Sequence, residues 1–395
     1  MGRARDPDTS RRNPQVDTVA VNHRRCYLET LLYGNPERIP LTPGEPREST
    51  LRRWHAEGLP EGMHHLDAAA ERLGIDLQRP ATPPVDLGVD FRMIPWFEEK
   101  VLEHKDGHYL VQDWMGAITE ISDEYDYTYI RSAKDFVTRK WHRFPVQTRE
   151  DWHEMRRRYD PDTPQRLPAD FAARCARLRK RDDYAGVSFN GPYWQLREWL
   201  GFENLSVLFL TQPDWVEEMI EFWSGFVSRM LERILSRVQL DYIWFSEDMA
   251  FKAHPMIGPD MARRFLLPTW RRWADLARRY GVQIVDVDSD GYIEDLIPVW
   301  IEAGVNCCDP IEVAAHNDIL RFRERFGTAM AYKGGIDKRA IAAGGRAILA
   351  EIKRNEPVIR GGGFIPGCDH GVPPDISWDN FVEYTRLLAQ VTGWL

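Results

Sequence analysis

The sequence predicts an α/β fold: a (β/α)8 TIM barrel with an N-terminal extension and an inserted region of short β-hairpin strands. Three observations predict it. From Tyr184 onward, short apolar runs rich in β-formers alternate with longer amphipathic segments, the pattern of repeated βα units around a parallel sheet. Ionisable residues follow strand after strand, as they would on the C-terminal rim of a barrel. No G-x-G-x-x-G follows an early strand, which leaves an open doubly wound sheet as the runner-up.

In chain order, residues 1–17 are polar and Pro-, Arg- and Asp-rich, and are expected to be a disordered tail before a single domain over 18–395. The run Ile39–Thr42, followed by Pro43-Gly-Glu-Pro-Arg47, is expected to be a first strand with a helix over Thr50–Glu57 behind it. Lys100–His104, Tyr109–Asp113 and Ile118–Ile121 alternate like short antiparallel strands. Six further strands are expected at Tyr184–Phe189, Tyr242–Phe245, Gln283–Val287, Gly304–Cys307, Ala329–Tyr332 and Gly363–Ile365. Helical patterns cover Trp215–Val238, Gly258–Tyr280, Ile293–Ala303, Ile319–Phe326, Ile341–Arg354 and Trp378–Thr392.

Composition narrows the function. The chain has 395 residues, 43% of them apolar, enough for a substantial core. A net charge of −9 without a Lys/Arg-dense face argues against a nucleic-acid binder. Five cysteines form no C-x-x-C pair or secreted-type framework, which points to free thiols in a reducing, cytoplasmic compartment. No apolar run approaches the roughly 20 residues of a membrane helix, and the polar start lacks the apolar segment of a secretory signal.

The predicted strand exits carry the chemistry. Ser246-Glu-Asp248 follows one strand, Asp286-Val-Asp-Ser-Asp290 the next, then Asp309 and Glu312, Lys333 to Arg339, and Cys368-Asp-His370. Any one such acid is more often a helix N-cap; five clusters in series favour one functional rim. Alternation sets Asp286, Asp288 and Asp290 on one side, where three carboxylates repel unless a cation joins them. Two supplies are available. One is a divalent metal, zinc by preference, held by Glu247, Asp288, Asp290 and Cys368, with His370 as an alternative donor. The other is the basic set Lys252, Lys338 and Arg339, closing an acid–base network. Trp194 and Arg197, in Asn190-Gly-Pro-Tyr-Trp-Gln-Leu-Arg197, would wall a flat or anionic substrate, and Arg47 would pair a substrate carboxylate; ordinary packing and surface pairing explain them equally well.

At these residues the chain resembles the uroporphyrinogen decarboxylase superfamily, which includes the haem-pathway decarboxylase and corrinoid-dependent methyltransferases and demethylases. The resemblance covers most of the chain. It rests on the order of Gly191-Pro-Tyr-Trp194, Asp241-Tyr-Ile-Trp-Phe-Ser-Glu-Asp248, Phe265-Leu-Leu-Pro268, Asp288-Ser-Asp-Gly291, Gly304-Val-Asn306, Gly334-Gly-Ile-Asp337 and Gly371-Val-Pro-Pro-Asp375. It implies a barrel with its cleft at the strand C-termini, and Asp337 and His370 match it well. The decarboxylase's Arg-Gln-Ala-Gly-Arg-Tyr loop is replaced here by Pro43-Gly-Glu-Pro-Arg-Glu-Ser49, and Asp288-Ser-Asp290 stands where the methyltransferase branch has His-x-Cys, with Cys368 at the later cysteine. The resemblance therefore implies methyl transfer or demethylation of a small molecule, with Glu247, His370 and Asp290 as catalytic groups and with zinc or another divalent metal. Because the chain lacks Asp-x-His-x-x-Gly, any corrinoid would come on a partner protein. Two alternatives remain open. One is a decarboxylase of a carboxylated cyclic substrate, with Arg47, Arg197 or Arg339 holding carboxylates; the other is a non-catalytic tetrapyrrole or corrinoid carrier. Barrels of this kind often pair, so a homodimer is a further expectation.

Overall fold

The computed structural model describes residues 21–80, 84–131, 133, 135 and 137–395. The expected tail lies outside the described residues. Two sheets organise the chain. The first is antiparallel, in the order β1 (Lys100–Lys105), β2 (His108–Gln112), β3 (Ile118–Ser122) and β4 (Arg139–Arg143). Three of these match the predicted alternation. The fourth, Arg-Lys-Trp-His-Arg, has no apolar face to betray it, and four of its five residues are exposed.

The second sheet is parallel and holds β5 (Gly186–Asn190), β6 (Tyr242–Ser246), β7 (Ile284–Asp288), β8 (Cys307–Asp309), β9 (Ala331–Ile336) and β10 (Phe364–Cys368), in sequential order from one edge to the other. Each is joined to the next through helical crossovers, as parallel pairing requires. The period-two alternation of side chains sorts this sheet into two environments. One face carries Val187, Phe189, Ile243, Phe245, Val285, Val287, Cys308, Tyr332 and Phe364 into an apolar core shared with Trp223, Trp270, Trp273 and Phe322 of the surrounding helices. On the other face, Tyr242, Ile284, Cys307, Ala331 and Ile365 make an apolar floor with Tyr27 and Leu31 of the helix His23–Leu31. Farther along the strands the same face turns polar.

Local chemistry explains where the elements depart from expectation. Gly304, at φ 88°, ends the helix Ile297–Ala303 in a left-handed cap, so its strand starts only at Cys307. The expected helix Gly258–Tyr280 is two, Pro259–Phe265 and Leu267–Arg279, because Pro268 lacks the N–H needed to continue the first and suits the first turn of the second. The Gly344-Gly345 pair, both at positive φ, likewise divides Lys338–Ala343 from Arg346–Arg360. Ile319–Phe326 and Trp378–Thr392 match their predicted bounds.

The expected first strand, Ile39–Thr42, is extended but forms no ladder. Prolines at 40, 43 and 46 remove every third donor. The segment instead flanks the end of β10. Cys368 N–H donates to Pro43 O at 3.0 Å and Val372 N–H to Glu45 O at 2.8 Å, with one parallel bridge between Pro46 and Val372. Among the described residues the parallel sheet has six paired strands. No helix among the described residues is long and apolar enough to cross a membrane.

Candidate functional site

The polar half of the sheet's second face centres on Lys333. Its Nζ lies 2.5 Å from Asp286 Oδ2 and 3.0 Å from Asp309 Oδ2, and Trp244 donates its indole N–H to Asp309 Oδ1 at 3.0 Å. Register explains the meeting: Trp244 pairs with Asp286 between β6 and β7, and Asp286 with Cys307 between β7 and β8. Burial alone would lower the Lys333 ammonium, but Asp286 and Asp309 outweigh it and hold its pKa well above the ordinary lysine value. Two carboxylates share this one cation, and Asp286 is fully buried. Desolvation therefore raises its carboxyl to about 7 against the pull of Lys333.

One step toward the C-terminal rim, Ser246 donates its hydroxyl to Asp288 Oδ2 at 2.6 Å. Burial first, then the Asp309 charge, raises the Asp288 carboxyl well above the usual range. At the rim itself, His370 Nε2 lies 3.1 Å from Asp290 Oδ2. Gly371 N–H donates to His370 Nδ1 at 2.7 Å, which leaves the ring proton on Nε2, facing Asp290. The hydrogen bond to Asp290 raises the His370 pKa despite partial burial. Arg47 reaches the same histidine, its Nη2 3.5 Å from Nδ1.

Beside β5 a cleft of about 450 Å³ is lined by Trp96, Trp114, Ser188, Asn190, Glu198 and Trp244, among others. Glu198 accepts from Trp194 Nε1 at 2.7 Å and from Asn190 Nδ2 at 3.1 Å, and burial pushes its carboxyl up to about 7. Arg197 stacks over Trp194 at 4.7 Å and is held by Asp248 through Oδ2 at 2.8 Å and the carbonyl at 2.7 Å.

Other predicted residues lie apart from this centre. Glu247 is fully buried and turned toward the helix Pro192–Leu200. Its Oε2 accepts from Tyr193 N–H at 2.9 Å and Trp194 N–H at 3.1 Å, and its Oε1 accepts from Trp270 Nε1 at 2.5 Å. It satisfies the helix's orphan donors, although burial raises its carboxyl to about 8. Cys368 packs in a core with Ile336, Val372 and Tyr384, and burial raises it to about 12, so it is a neutral thiol. Asp337 caps the helix Lys338–Ala343 through Arg339 N–H at 2.9 Å and grips the Arg339 guanidinium at 2.8 Å. Lys338 turns to Glu312 at 2.9 Å.

Among the described residues the expected metal set Glu247, Asp288, Asp290 and Cys368 supplies no three ligand atoms within 4.8 Å of one another, and Glu247 already accepts three N–H groups. Asp290 and His370 meet, with Arg47 beside them, and Asp288 lies in the buried acid group next to Lys333. Ser246 and Lys333 entered the sequence reading only as the first residues of rim clusters, and Trp244 and Glu198 were given no role there. Period-two counting along β9 and β6 would have placed Lys333 and Trp244 on the acidic face.

No family model matches the chain, and no curated protein matches it. Among solved structures it is similar to a methyltransferase from Methanosarcina mazei, with a TM-score of 0.55 and 14% identity, covering 93% of this chain and 96% of that one. A B12-independent methionine synthase from Shewanella sp. W3-18-1 aligns with a TM-score of 0.36 and 12% identity over 58% of this chain and 67% of that one. The first likeness establishes a shared α/β fold along nearly the whole of both chains.

Proposed function

We propose that the protein is an enzyme that removes or transfers a methyl group on a small molecule bound at the C-terminal rim of the parallel sheet. The observation that carries this is the His370–Asp290 couple at 3.1 Å, standing at the rim whose inner residues form the Lys333 network. Demethylating an ether or amine breaks a C–O or C–N bond whose electron pair stays on the heteroatom, which then needs a proton. His370 Nε2, whose proton faces Asp290 at 3.1 Å, is the proposed donor, and the carboxylate beside it raises the pKa of that ring. The methyl group passes to an acceptor that brings its own electron pair. A reduced corrinoid on a separate partner protein is the acceptor proposed, and the fold shared with a methyltransferase supports this class of reaction. On this reading the chain is a divergent member of the uroporphyrinogen decarboxylase superfamily, and a closed (β/α)8 barrel is its proposed architecture. Five free, buried cysteines support a cytoplasmic setting.

The cleft beside β5 would form the substrate wall, with Trp194 behind it on Glu198. A decarboxylase is the second reading, favoured by Arg47 next to His370. Its other proposed carboxylate holders, Arg197 and Arg339, are already engaged by Asp248 and Asp337. The test is to incubate purified protein with reduced free corrinoid and a panel of methyl ethers, methylamines and methyl thioethers, following corrinoid methylation by absorbance and carbon dioxide by headspace analysis. Methylation with any donor class supports the proposal. Carbon dioxide from carboxylated ring compounds without methylation transfers the assignment to the decarboxylase, and corrinoid binding without turnover assigns a carrier.

A further inference from the structure

We propose that Glu45, His64 and His65 form a divalent-cation site, zinc by its ligand chemistry, that fastens the 43–47 strap to the helix His65–Leu73. One ligand atom from each residue lies within 4.8 Å of the other two, the sole such group of three among the described residues. The three come from two separate stretches of chain, and each is held in place without a metal. Glu45 is fixed by its carbonyl, which accepts from Val372 N–H at 2.8 Å, and by the neighbouring Pro46–Val372 bridge. His65 is buried, its ring 6.1 Å from Trp54 and 5.7 Å from Phe381 between centroids. His64 is the N-cap of the helix, with Nδ1 accepting from Leu66 N–H at 3.3 Å, and its ring centroid stands 4.2 Å from that of His65. Ligation through His64 Nδ1 would replace that long cap.

Two imidazoles and a carboxylate suit zinc, nickel or copper better than magnesium or calcium, which prefer all-oxygen shells. Three protein donors leave a fourth position for water, and Glu45 and His64 are exposed enough to admit an ion. The placement gives the site a purpose. The same strap carries Arg47, whose N–H donates to Val372 O at 3.2 Å and whose guanidinium reaches His370. An ion joining Glu45 to the helix would hold that strap, and hence Arg47, against the loop that bears His370.

The experiment uses full-length protein stripped with chelator and titrated with zinc alone, reading bound metal after gel filtration and the shift in thermal melting. Wild type is expected to bind one equivalent and to melt higher with zinc. Glu45→Gln and His64→Ala, both at exposed positions, should each weaken binding at least about tenfold and abolish the melting shift while leaving circular dichroism unchanged. Asp290→Asn should bind zinc as wild type does. Absence of stoichiometric binding would overturn the proposal. So would undiminished affinity in both Glu45→Gln and His64→Ala, or loss of binding in Asp290→Asn alone.

Discussion

His370 Nε2 sits 3.1 Å from Asp290 Oδ2, joining residues 80 positions apart in sequence at one point on the rim. The Asp290 carboxylate raises the His370 pKa, while Gly371 N–H, donating to Nδ1, selects the tautomer with its proton on Nε2. If the protonated ring delivers the proton, activity falls as pH rises through the raised value. Asp290→Asn should move this descending limb of kcat to lower pH, and a pH–rate profile of the two proteins checks it. His370→Gln should lower kcat about 10²- to 10⁴-fold, the usual worth of a general acid, with melting temperature little changed.

Lys333 is the cation that makes the buried Asp286 and the half-buried Asp309 tolerable. Removing it in Lys333→Met leaves Asp286 and Asp309 without a counter-charge, at an expected cost of about 3–5 kcal/mol in urea unfolding. Adding Asp286→Leu to that variant should recover most of the loss, because the surviving Asp309 is partly exposed and still accepts from Trp244.

Glu247 is predicted to be a stability residue. Glu247→Gln points an amide N–H at donors that need an acceptor and should cost about 1–3 kcal/mol. A Cβ at position 191 would lie 2.2 Å from Glu247 Cδ, so Gly191→Ala should destabilise by about 1–3 kcal/mol through overpacking. Denaturant midpoints measure both.

Glu198 links stability to pH with a definite sign. Burial raises its carboxyl from 4.5 to about 7, so between those values the folded protein keeps a proton that the unfolded chain releases. Stability from this group is therefore greatest at low pH and is lost as pH rises through that window. Glu198→Gln should melt higher than wild type at pH 8 and equally at pH 5. The difference should be on the order of 1–2 kcal/mol after allowing for solvent screening.

Much of this was legible in the sequence, for a physical reason. Buried parallel strands must be short, apolar and alternating, so all six strands of the parallel sheet lie at or within a few residues of the predicted runs, and the ionisable residues after them share one end. Pairing was less legible. Whether Ile39–Thr42 joins a ladder depends on donors, and the prolines at 40, 43 and 46 remove them. The site was half legible. Asp290 and His370 follow strands at the same end of the sheet and meet. Glu247 follows a strand too, but one position after Ser246 it faces the opposite way, into a helix terminus. Cys368 ends β10 on the core face, as period-two counting back from Phe364 requires. Lys333 was passed over because the basic supply was sought in Lys252, Lys338 and Arg339; a lysine two residues into β9 supplies that charge from within.

The most direct measurement is single-turnover transfer of a labelled methyl group from the best donor of the panel to reduced corrinoid, by wild type and by His370→Gln. Label is expected in the corrinoid with wild type, and a loss of about 10²-fold or more in a folded His370→Gln protein. Equal transfer by both proteins would contradict it.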